Sequence, residues 1–337
     1  SIGEYAFGNC KNLTSVSIPE SVTSIDREAF TLCDKLQSIT LPHTLTNLGE
    51  LAFKQNLNIR QVIFPQSLDT IKYGTLLQCD SLRFVSLPAN VKYLDEAAFE
   101  YCSVLDSINI PAGVTYIGPN CFEGCYSLKS IRVNSLTPVD LSSATNAFWG
   151  VNQKTCILYV PVGSKALYQK AVQWKDFLNI REYSEWIGSG SFTDAANWSN
   201  GIVPSTDATI LIKSGTMTID QNISVANIVV SPDSKLTIAN GVTVTISGNL
   251  TLQSDSQNTA TIIDQGGTLA VSGTTSVQQY LTGSTDAGNN TPNGRFWYVA
   301  CPVSNATSKT FNAAGANRLW YWDEQLQSYT EITDNTT

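Results

Sequence analysis

The sequence predicts a mostly β protein in which two solenoids of short stacked strands follow one another. Three observations carry this prediction. A 23-residue repeat fills the first part of the chain, short alternating strands with glycine turns fill the second, and the composition changes sharply near residue 184. We expect a helical cap between the two solenoids.

The first solenoid is predicted by residue types that recur every 23 residues over six copies. One position holds a phenylalanine and another a cysteine, with one exception each: Phe7, Phe30, Phe53, Leu76, Phe99 and Phe122, and Cys10, Cys33, Asn56, Cys79, Cys102 and Cys125. The unit reads L-x-S-I-x-I-P-x-x-V-T-x-I-x-x-x-A-F-x-x-C-x-x. Its S-I-x-I segment alternates between apolar and polar residues and predicts a short strand that the proline ends. Each unit is then expected to bury its apolar side against its neighbours.

This unit resembles the BspA-like leucine-rich repeat of bacterial cell-surface proteins over residues 1–133. The resemblance implies a right-handed solenoid, display outside the cell, and adhesion to host or partner-cell proteins. Leu76, Asn56 and Asn134 depart from the Phe, Cys and Pro that are usual at their positions. Because residue 1 falls inside a repeat, we expect further rungs upstream.

Beyond the repeats, the period breaks over residues 134–183, where an amphipathic stretch predicts a capping helix from about Lys165 to about Asp176. Residues 184–282 hold nine strand-like pieces and predict a parallel β-solenoid, which resembles stalk modules of secreted surface proteins of gut and oral anaerobes. Residues 283–337 begin with a polar linker. Two aromatic strands, Phe296–Ala300 and Leu319–Trp322, predict part of a further β module.

Composition excludes several classes of function. Only 14% of residues are charged and the formal net charge is −8, which excludes a nucleic-acid binder of the basic-patch kind. The single histidine, His43, removes most acid–base and metal chemistry, and we interpret it as a surface residue in an exposed turn. No apolar run is long enough to span a membrane. We therefore expect no cofactor and no enzymatic activity, and a monomer at the bacterial cell surface or secreted, anchored through parts outside these residues.

The cysteines are predicted to be buried small side chains that bond to loop backbone, a role that Asn56 can share. Disulfides between adjacent rungs are not expected, because in-register side chains lie about 4.8 Å apart and a disulfide needs Cβ atoms about 3.8 Å apart. Zinc is not expected without a C-x-x-C motif or a histidine partner. Cys156 and Cys301 remain unassigned. Four aspartates spaced by 13 residues suggest a calcium ladder, but their flanking residues do not repeat: Asp194, Asp207, Asp220 and Asp233.

The outward positions of the repeat strands hold the candidate interaction site. Most are small and polar, but Ile63 and Phe84 are apolar and lie on adjacent rungs, with arginines just before their strands. An apolar centre with an arginine rim is typical of protein interfaces. The expected interaction face comprises Arg60, Gln61, Ile63, Arg83, Phe84, Tyr93, Tyr116 and Arg132.

These observations favour a non-enzymatic surface protein whose repeat sheet contacts host extracellular-matrix proteins, plasma proteins or other cell-surface proteins. One alternative is a glycan-binding module that uses exposed tryptophans: Trp198, Trp297, Trp320 and Trp322. A second alternative is a purely structural spacer. A hydrolase or lyase is disfavoured, because no cluster of carboxylates is visible in the sequence.

Overall fold

The computed structural model describes residues 1–255 and 257–278, together with the backbone of two later strands. The chain forms two compact units. The first comprises Ser1–Glu185 and Trp198–Thr209, and the second comprises Trp186–Asn197 and the chain from Ile210 onward. Over the described ranges, every helix is too short or too polar to cross a membrane.

In the first unit, successive repeats contribute two short strands each. The strands are β1 Ser15–Ser17, β2 Ser24–Ile25, β3 Ser38–Thr40, β4 Asn47–Leu48, β5 Gln61–Ile63, β6 Thr70–Ile71, β7 Phe84–Ser86, β8 Tyr93–Leu94, β9 Ser107–Ile110, β10 Tyr116–Ile117 and β11 Ser130–Val133. They pair in parallel with the register that the repeat predicts, so that Val62 lies opposite Val85 and Leu94 opposite Ile117. These residues point inward and are buried, which confirms the parallel solenoid.

The phenylalanines of the repeat form a stack along the core. Phe99 and Phe122 lie with their ring centroids 5.3 Å apart and nearly parallel, and Phe122 stacks in the same way on Phe148 at 5.6 Å. Phe148 belongs to the segment beyond the strict repeat, so the stack continues past the sixth copy. Leu76 occupies one place in this column and is fully buried there.

The cysteine column bonds to the backbone of the preceding rung. The four buried thiols of the column, Cys33, Cys79, Cys102 and Cys125, each donate to a carbonyl 26 residues earlier, as in Cys79 to Phe53 at 3.2 Å and Cys125 to Phe99 at 3.3 Å. Asn56 takes the same place, where its Nδ2 donates to the carbonyls of Phe30 at 2.8 Å and Phe53 at 2.7 Å. The predicted role is therefore confirmed for these four cysteines and for Asn56, whereas Cys10 is only partly buried. Burial raises the pKa of Cys79 and of Cys125 to about 12, so both thiols stay protonated as donors.

Each repeat turn holds two residues with left-handed backbone. Their φ angles are positive in all six copies: Tyr5, Glu28, Leu51, Gly74, Ala97 and Asn120 at the first position, and Asn9, Leu32, Gln55, Gln78, Tyr101 and Gly124 at the second. Their N–H groups donate to carbonyls of the next rung, as in Leu51 to Tyr73 at 2.8 Å and Gln55 to Leu77 at 2.8 Å. Contact with the neighbouring rung thus holds a conformation that side chains other than glycine disfavour.

The predicted helical cap is not confirmed. Residues 134–183 instead add two further rungs, because β12 (Ile157–Pro161) pairs in parallel with β11, and β13 (Asn179–Trp186) with β12. Between these strands lie a four-residue helix, α1 (Lys165–Tyr168), and a 3-10 turn, Trp174–Asp176.

The reason for this error lies at residue 173 and in the core beside it. Gln173 has φ of 63°, which interrupts any continuous helix, and its Nε2 donates to the carbonyls of Leu141 and Ala144. Trp174 is fully buried, with its ring centroid 5.0 Å from that of Phe148. The amphipathic pattern therefore comes from side chains that extend the solenoid core.

The second unit is a parallel β-solenoid, as the sequence predicted, and each turn contributes three short strands. Its strands are β14 Gly190–Ser191, β15 Thr209–Ile212, β16 Thr216–Ile219, β17 Ile223–Val225, β18 Asn227–Val230, β19 Lys235–Ile238, β20 Thr243–Ile246, β21 Leu250–Leu252, β22 Thr261–Asp264, β23 Thr268–Val271 and β24 Thr275–Val277. A 3-10 turn covers Ala195–Asn197. Parallel ladders connect β14, β16, β19 and β22, then β17, β20 and β23, and then β18, β21 and β24. Alternate residues of these strands point inward, and Met217, Val244 and Ile228 are fully buried.

Asparagines close the corners of this second solenoid. The Oδ1 atom of Asn227 accepts from the backbone N–H of Asn249 at 2.8 Å, and Oδ1 of Asn249 accepts from that of Thr274 at 2.9 Å. Farther along the chain, β25 (Trp320–Asp323) pairs antiparallel with β26 (Ser328–Glu331). β25 overlaps the expected strand Leu319–Trp322, whereas the expected strand Phe296–Ala300 lies outside the described residues.

Candidate functional site

The centre of the expected interaction face lies on strands β5 and β7. Because side chains alternate along a strand, burial of Val62 and Val85 turns their neighbours outward. Ile63 is 58% exposed and Phe84 is 48% exposed. The register sets Phe84 opposite Gln61 and Ile63 opposite Ser86, so the two apolar side chains are diagonal neighbours on adjacent rungs. We call Gln61, Ile63 and Phe84 the sheet patch.

Two arginines precede the strands of the sheet patch. Arg60 and Arg83 are both exposed, and the backbone N–H of Arg83 donates to the carbonyl of Arg60 at 2.9 Å. The Arg83 guanidinium lies 3.8 Å from the carboxylate of Asp106, which also accepts from Lys129 at 2.7 Å. The hydrogen bond from Lys129, and then the charges of Lys129 and Arg83, lower the pKa of Asp106. The edge of the sheet patch therefore carries an excess of positive charge.

The two tyrosines of the expected face lie on a different sheet. Tyr93 on β8 pairs in register with Tyr116 on β10, and the side chains are 43% and 39% exposed. The sheet of β6, β8 and β10 is separate from that of β5 and β7. The structure thus brings Tyr93 and Tyr116 together but assigns them to a surface distinct from the sheet patch.

Arg132 is held within the first unit. It lies on β11 with only 22% of its side chain exposed, and Nη2 donates to Oε1 of Glu185 at 2.8 Å. Its Cζ atom lies 4.2 Å from the centre of the Tyr183 ring. Sequence reasoning missed these partners, because both lie some 50 residues away and outside the 23-residue repeat.

One part of the alternative that exposed tryptophans bind glycans is wrong. Trp198 was expected to be exposed, but only 2% of its surface is accessible, so it offers no stacking surface to a sugar. The side chains of Trp297, Trp320 and Trp322 lie outside the described residues. Sequence reasoning did not identify two other exposed aromatic side chains: Trp149, which is 57% exposed, and Tyr126, which is 53% exposed. Trp149 follows the buried Phe148, and that adjacency to the phenylalanine column was the available signal.

The residues considered for catalysis or metal binding are dispersed. The His43 side chain is 92% exposed, as predicted, and its Nδ1 lies 3.3 Å from the Glu20 carboxylate. The Asp194 carboxylate accepts from Ala196 and Asn197 of its own turn. In residues 1–255 and 257–278, no three His, Cys, Asp or Glu side chains are grouped so as to hold a metal ion. Cys156, which the sequence left unassigned, is buried, and Cys301 lies outside the described residues.

Three leucine-rich-repeat proteins are among the solved structures that are similar to this chain. One from T. pallidum is 29% identical, with 50% of this chain and 75% of that chain covered and a TM-score of 0.39. One from Bacteroides ovatus is 17% identical, with 80% and 71% covered and a TM-score of 0.39. A leucine rich cell surface protein from Faecalibacterium prausnitzii is 19% identical, with 68% and 76% covered and a TM-score of 0.33.

No curated protein matches the chain. The family model of the BspA type leucine rich repeat region matches residues 1–140 in six copies. Those six copies coincide with the stacked rungs, the phenylalanine column and the cysteine column described above. Residues 1–140 of this chain are therefore a BspA type leucine-rich-repeat region.

Proposed function

We propose that the first unit is a non-enzymatic protein-binding module and that the sheet patch is the centre of its binding surface. The observation that carries this proposal is the pair Ile63 and Phe84, two large apolar side chains about half exposed on adjacent rungs. Other copies hold a small polar residue at the position of Phe84: Ser15, Ser38, Ser107 and Ser130.

A single exposed apolar residue is ordinary on a protein surface. Two on neighbouring rungs, next to two arginines, match the composition of interface centres, where aromatic residues and arginine are enriched. The sheet holds these side chains on a backbone fixed by buried neighbours, so little conformational entropy is lost on binding. The partner we propose is an extracellular-matrix protein, a plasma protein or another cell-surface protein that presents an apolar patch with acidic residues around it.

We also propose that the protein acts outside the bacterial cell. The BspA type repeats of residues 1–140 support this location. As noted above, resemblance to this family implies display on the bacterial surface. The low charge content and acidic balance suit an exported protein that stays soluble among other macromolecules.

The test is a binding screen of the chain against immobilised matrix and plasma proteins, followed by the Phe84→Asp variant. We expect saturable binding that Phe84→Asp weakens by about thirtyfold or more, the loss of about 2 kcal/mol that defines a hot spot. Ser38→Asp is the matched control, because Ser38 holds the same exposed position two rungs away, and we expect it to bind as the parent chain does.

Unchanged binding by Phe84→Asp would contradict the sheet patch as the binding centre. An absence of binding across the whole panel would contradict the proposed class of partner. Circular dichroism and thermal unfolding of Phe84→Asp check that the solenoid remains folded, which we expect since Val85 and not Phe84 enters the core.

A further inference from the structure

A compact group of aromatic and acidic side chains lies on the repeat turns where the strict repeat ends. The residue that follows the core phenylalanine is Glu100 in the fifth copy, Glu123 in the sixth and Trp149 on the next rung. The phenylalanines before them stack 5.3 and 5.6 Å apart, so these three residues follow one another on consecutive rungs. Together with Tyr101 and Tyr126, which lie on the same turns, we call them the turn patch.

The aromatic rings of the turn patch are accessible and held in place. Tyr126 is 53% exposed and Trp149 is 57% exposed. The Tyr101 ring lies against Gly124, and the Tyr126 ring lies against Gly150, where an added Cβ would come within 2.9 Å of Cε1 of the tyrosine. The centroids of the two tyrosine rings are 6.5 Å apart and the rings are inclined by 54°, so they are not stacked face to face. A partner would therefore meet aromatic surface that is already positioned.

The carboxylates of the turn patch have no cationic partner in the part of the chain that the structure describes. Over residues 1–255 and 257–278, Glu96, Glu100 and Glu123 form no salt bridge. Burial, and then the charges of Glu123 and Glu96, raise the pKa of Glu100. On the turns of earlier copies, in contrast, Arg27 pairs with two glutamates. The turn patch thus combines exposed aromatic rings with negative charge that the described residues leave uncompensated.

An arginine elsewhere in the first unit shows which group such a combination accepts. The Cζ atom of Arg132 lies 4.2 Å from the centre of the Tyr183 ring, and its Nη2 donates to Oε1 of Glu185 at 2.8 Å. The turn patch holds a similar pair without the arginine, because the Tyr101 hydroxyl donates to Oε1 of Glu123 at 3.3 Å. A guanidinium could stack on one ring there and bond to the carboxylate beside it.

We propose that the turn patch binds an arginine side chain of a partner protein. A guanidinium is planar, stacks on aromatic faces and presents N–H groups that fit a carboxylate, whereas a lysine ammonium is a compact, strongly hydrated charge. The partner segment is therefore basic, unlike the partner proposed for the sheet patch, which presents acidic residues. The turn patch shares no residue with the sheet patch, so the two proposals are independent.

The test uses the whole chain and a fluorescein-labelled peptide of alternating glycine and arginine. Two peptides of the same length, with lysine or citrulline in place of arginine, are the controls, because citrulline has nearly the shape of arginine without its charge. Fluorescence anisotropy should show saturable binding of the arginine peptide. We expect the lysine peptide to bind at least about threefold more weakly, because it stacks less well on aromatic rings, and the citrulline peptide not to bind.

Variants of the chain locate the binding. Tyr126→Ser and Trp149→Ser should each weaken it by about threefold, the effect of one exposed contact between a cation and an aromatic ring. Tyr116→Ser, which removes an exposed tyrosine from a separate sheet, should leave it unchanged. Glu123→Gln should weaken it by about twofold to threefold, whereas Asp220→Asn, which removes the same charge from an exposed position of the second unit, should not.

Four results would overturn the proposal. The first is that the arginine peptide does not bind saturably. The second is equal binding of the citrulline peptide, which would remove the role of charge. The third is binding of the lysine peptide as tight as that of the arginine peptide. The fourth is an equal effect of the turn-patch variants and their controls, which would mean general attraction to an acidic chain.

The two proposals can fail separately. Phe84→Asp should leave binding of the arginine peptide intact, and Tyr126→Ser should leave binding to a matrix or plasma protein intact. Circular dichroism of each variant checks that the solenoid remains folded, which we expect since Tyr126 and Trp149 lie at the surface.

Discussion

The two units close their parallel coils with different chemistry at the corners. In the first, a buried phenylalanine and a buried thiol fill most turns, with Leu76 and Asn56 as the exceptions, and the thiol bonds to the preceding rung, as Cys125 does to the carbonyl of Phe99. In the second, an exposed asparagine accepts a backbone N–H of the next turn, as Asn249 does from Thr274.

This difference explains why the six repeats of the first unit keep a constant length of 23 residues, whereas the turns of the second unit vary in length. A buried plug must fit a cavity of fixed shape, which restricts where residues can be added, although the stack continues over the 26-residue step from Phe122 to Phe148. A surface asparagine needs only one backbone N–H within reach. Accordingly, 19 residues separate Thr216 from its partner Lys235, whereas 26 separate Lys235 from Thr261 on the next turn.

The largest effect is expected when a plug is removed from the first unit. Phe99→Ala should lower the free energy of unfolding by about 3–5 kcal/mol, the usual cost of truncating a buried phenylalanine. Phe7→Ala is the control, because Phe7 is 36% exposed and, among the described residues, stacks on Phe30 alone. Urea unfolding should give a clearly smaller loss for Phe7→Ala, and equal losses would contradict the plug interpretation.

A smaller effect is expected at the one asparagine of the cysteine column. Asn56→Ala leaves two buried carbonyls with one donor fewer and should cost about 1–3 kcal/mol of unfolding free energy. Asn56→Cys restores the residue of the other copies and removes Oδ1, which has no partner among the described residues. Calorimetric melting should therefore rank Asn56→Cys near the parent chain. If Asn56→Cys melted as low as Asn56→Ala, the two side chains would not be equivalent.

The corner asparagines of the second unit should matter less than Asn56. Asn249→Ala removes the acceptor for Thr274, but the site is exposed and water can replace it, so we expect a loss of about 0.5–1.5 kcal/mol. Amide hydrogen exchange provides the direct readout, because the Thr274 N–H should exchange faster in the variant. A loss as large as that of Asn56→Ala would remove the distinction between buried and exposed corners.

The smallest effects concern pH, and they should have opposite signs in the two units. Burial, and then Glu50 against the opposing charge of Lys72, raise the pKa of Asp95. The folded state then binds the proton more tightly than the unfolded state does. Asp95 therefore costs stability as pH rises through the window between its ordinary pKa and the raised one. Asp95→Asn should raise the melting temperature at pH 7 and have no effect in strong acid.

Asp255 in the second unit is the counterpart. Hydrogen bonds from the backbone N–H groups of Gln257 and Asn258 lower the pKa of Asp255. The Asp255 carboxylate therefore stabilises the folded state above its ordinary pKa, and this stabilisation is lost as pH falls. Asp255→Ala should lower the melting temperature at pH 7 and matter less in acid. Melting curves from pH 3 to 7 check both variants, and shifts of the same sign would refute this assignment.

Most of the repeat architecture could be predicted, since one sequence spacing fixes one structural spacing. The 23-residue step sets Phe84 beside Gln61 in register and brings Tyr93 next to Tyr116. It also identified Asn56 as the equivalent of a cysteine. Each of these inferences needs only local alternation and the identity of the neighbouring rung.

The errors arose where the repeat stops. An amphipathic stretch fits a helix and also a turn whose apolar residues enter the core. Here the turn forms, and Trp174 packs against the ring of Phe148 in the core. The burial of Trp198 and the pairing of Arg132 with Glu185 depend on tertiary contacts that no period encodes.

The left-handed residues of the repeat turns bear on how such an array evolves. Ten of the twelve positions hold a residue other than glycine, at a cost of roughly 1–2 kcal/mol each. Hydrogen bonds to the following rung offset that cost. A single copy lacks that rung, so we expect that it does not fold alone. Duplication of one 23-residue segment, in contrast, inserts a rung whose neighbours on both sides already present the groups that it bonds to. Selection can therefore lengthen or shorten the array in whole copies, and can change the outward residues of each copy, without redesigning the turn.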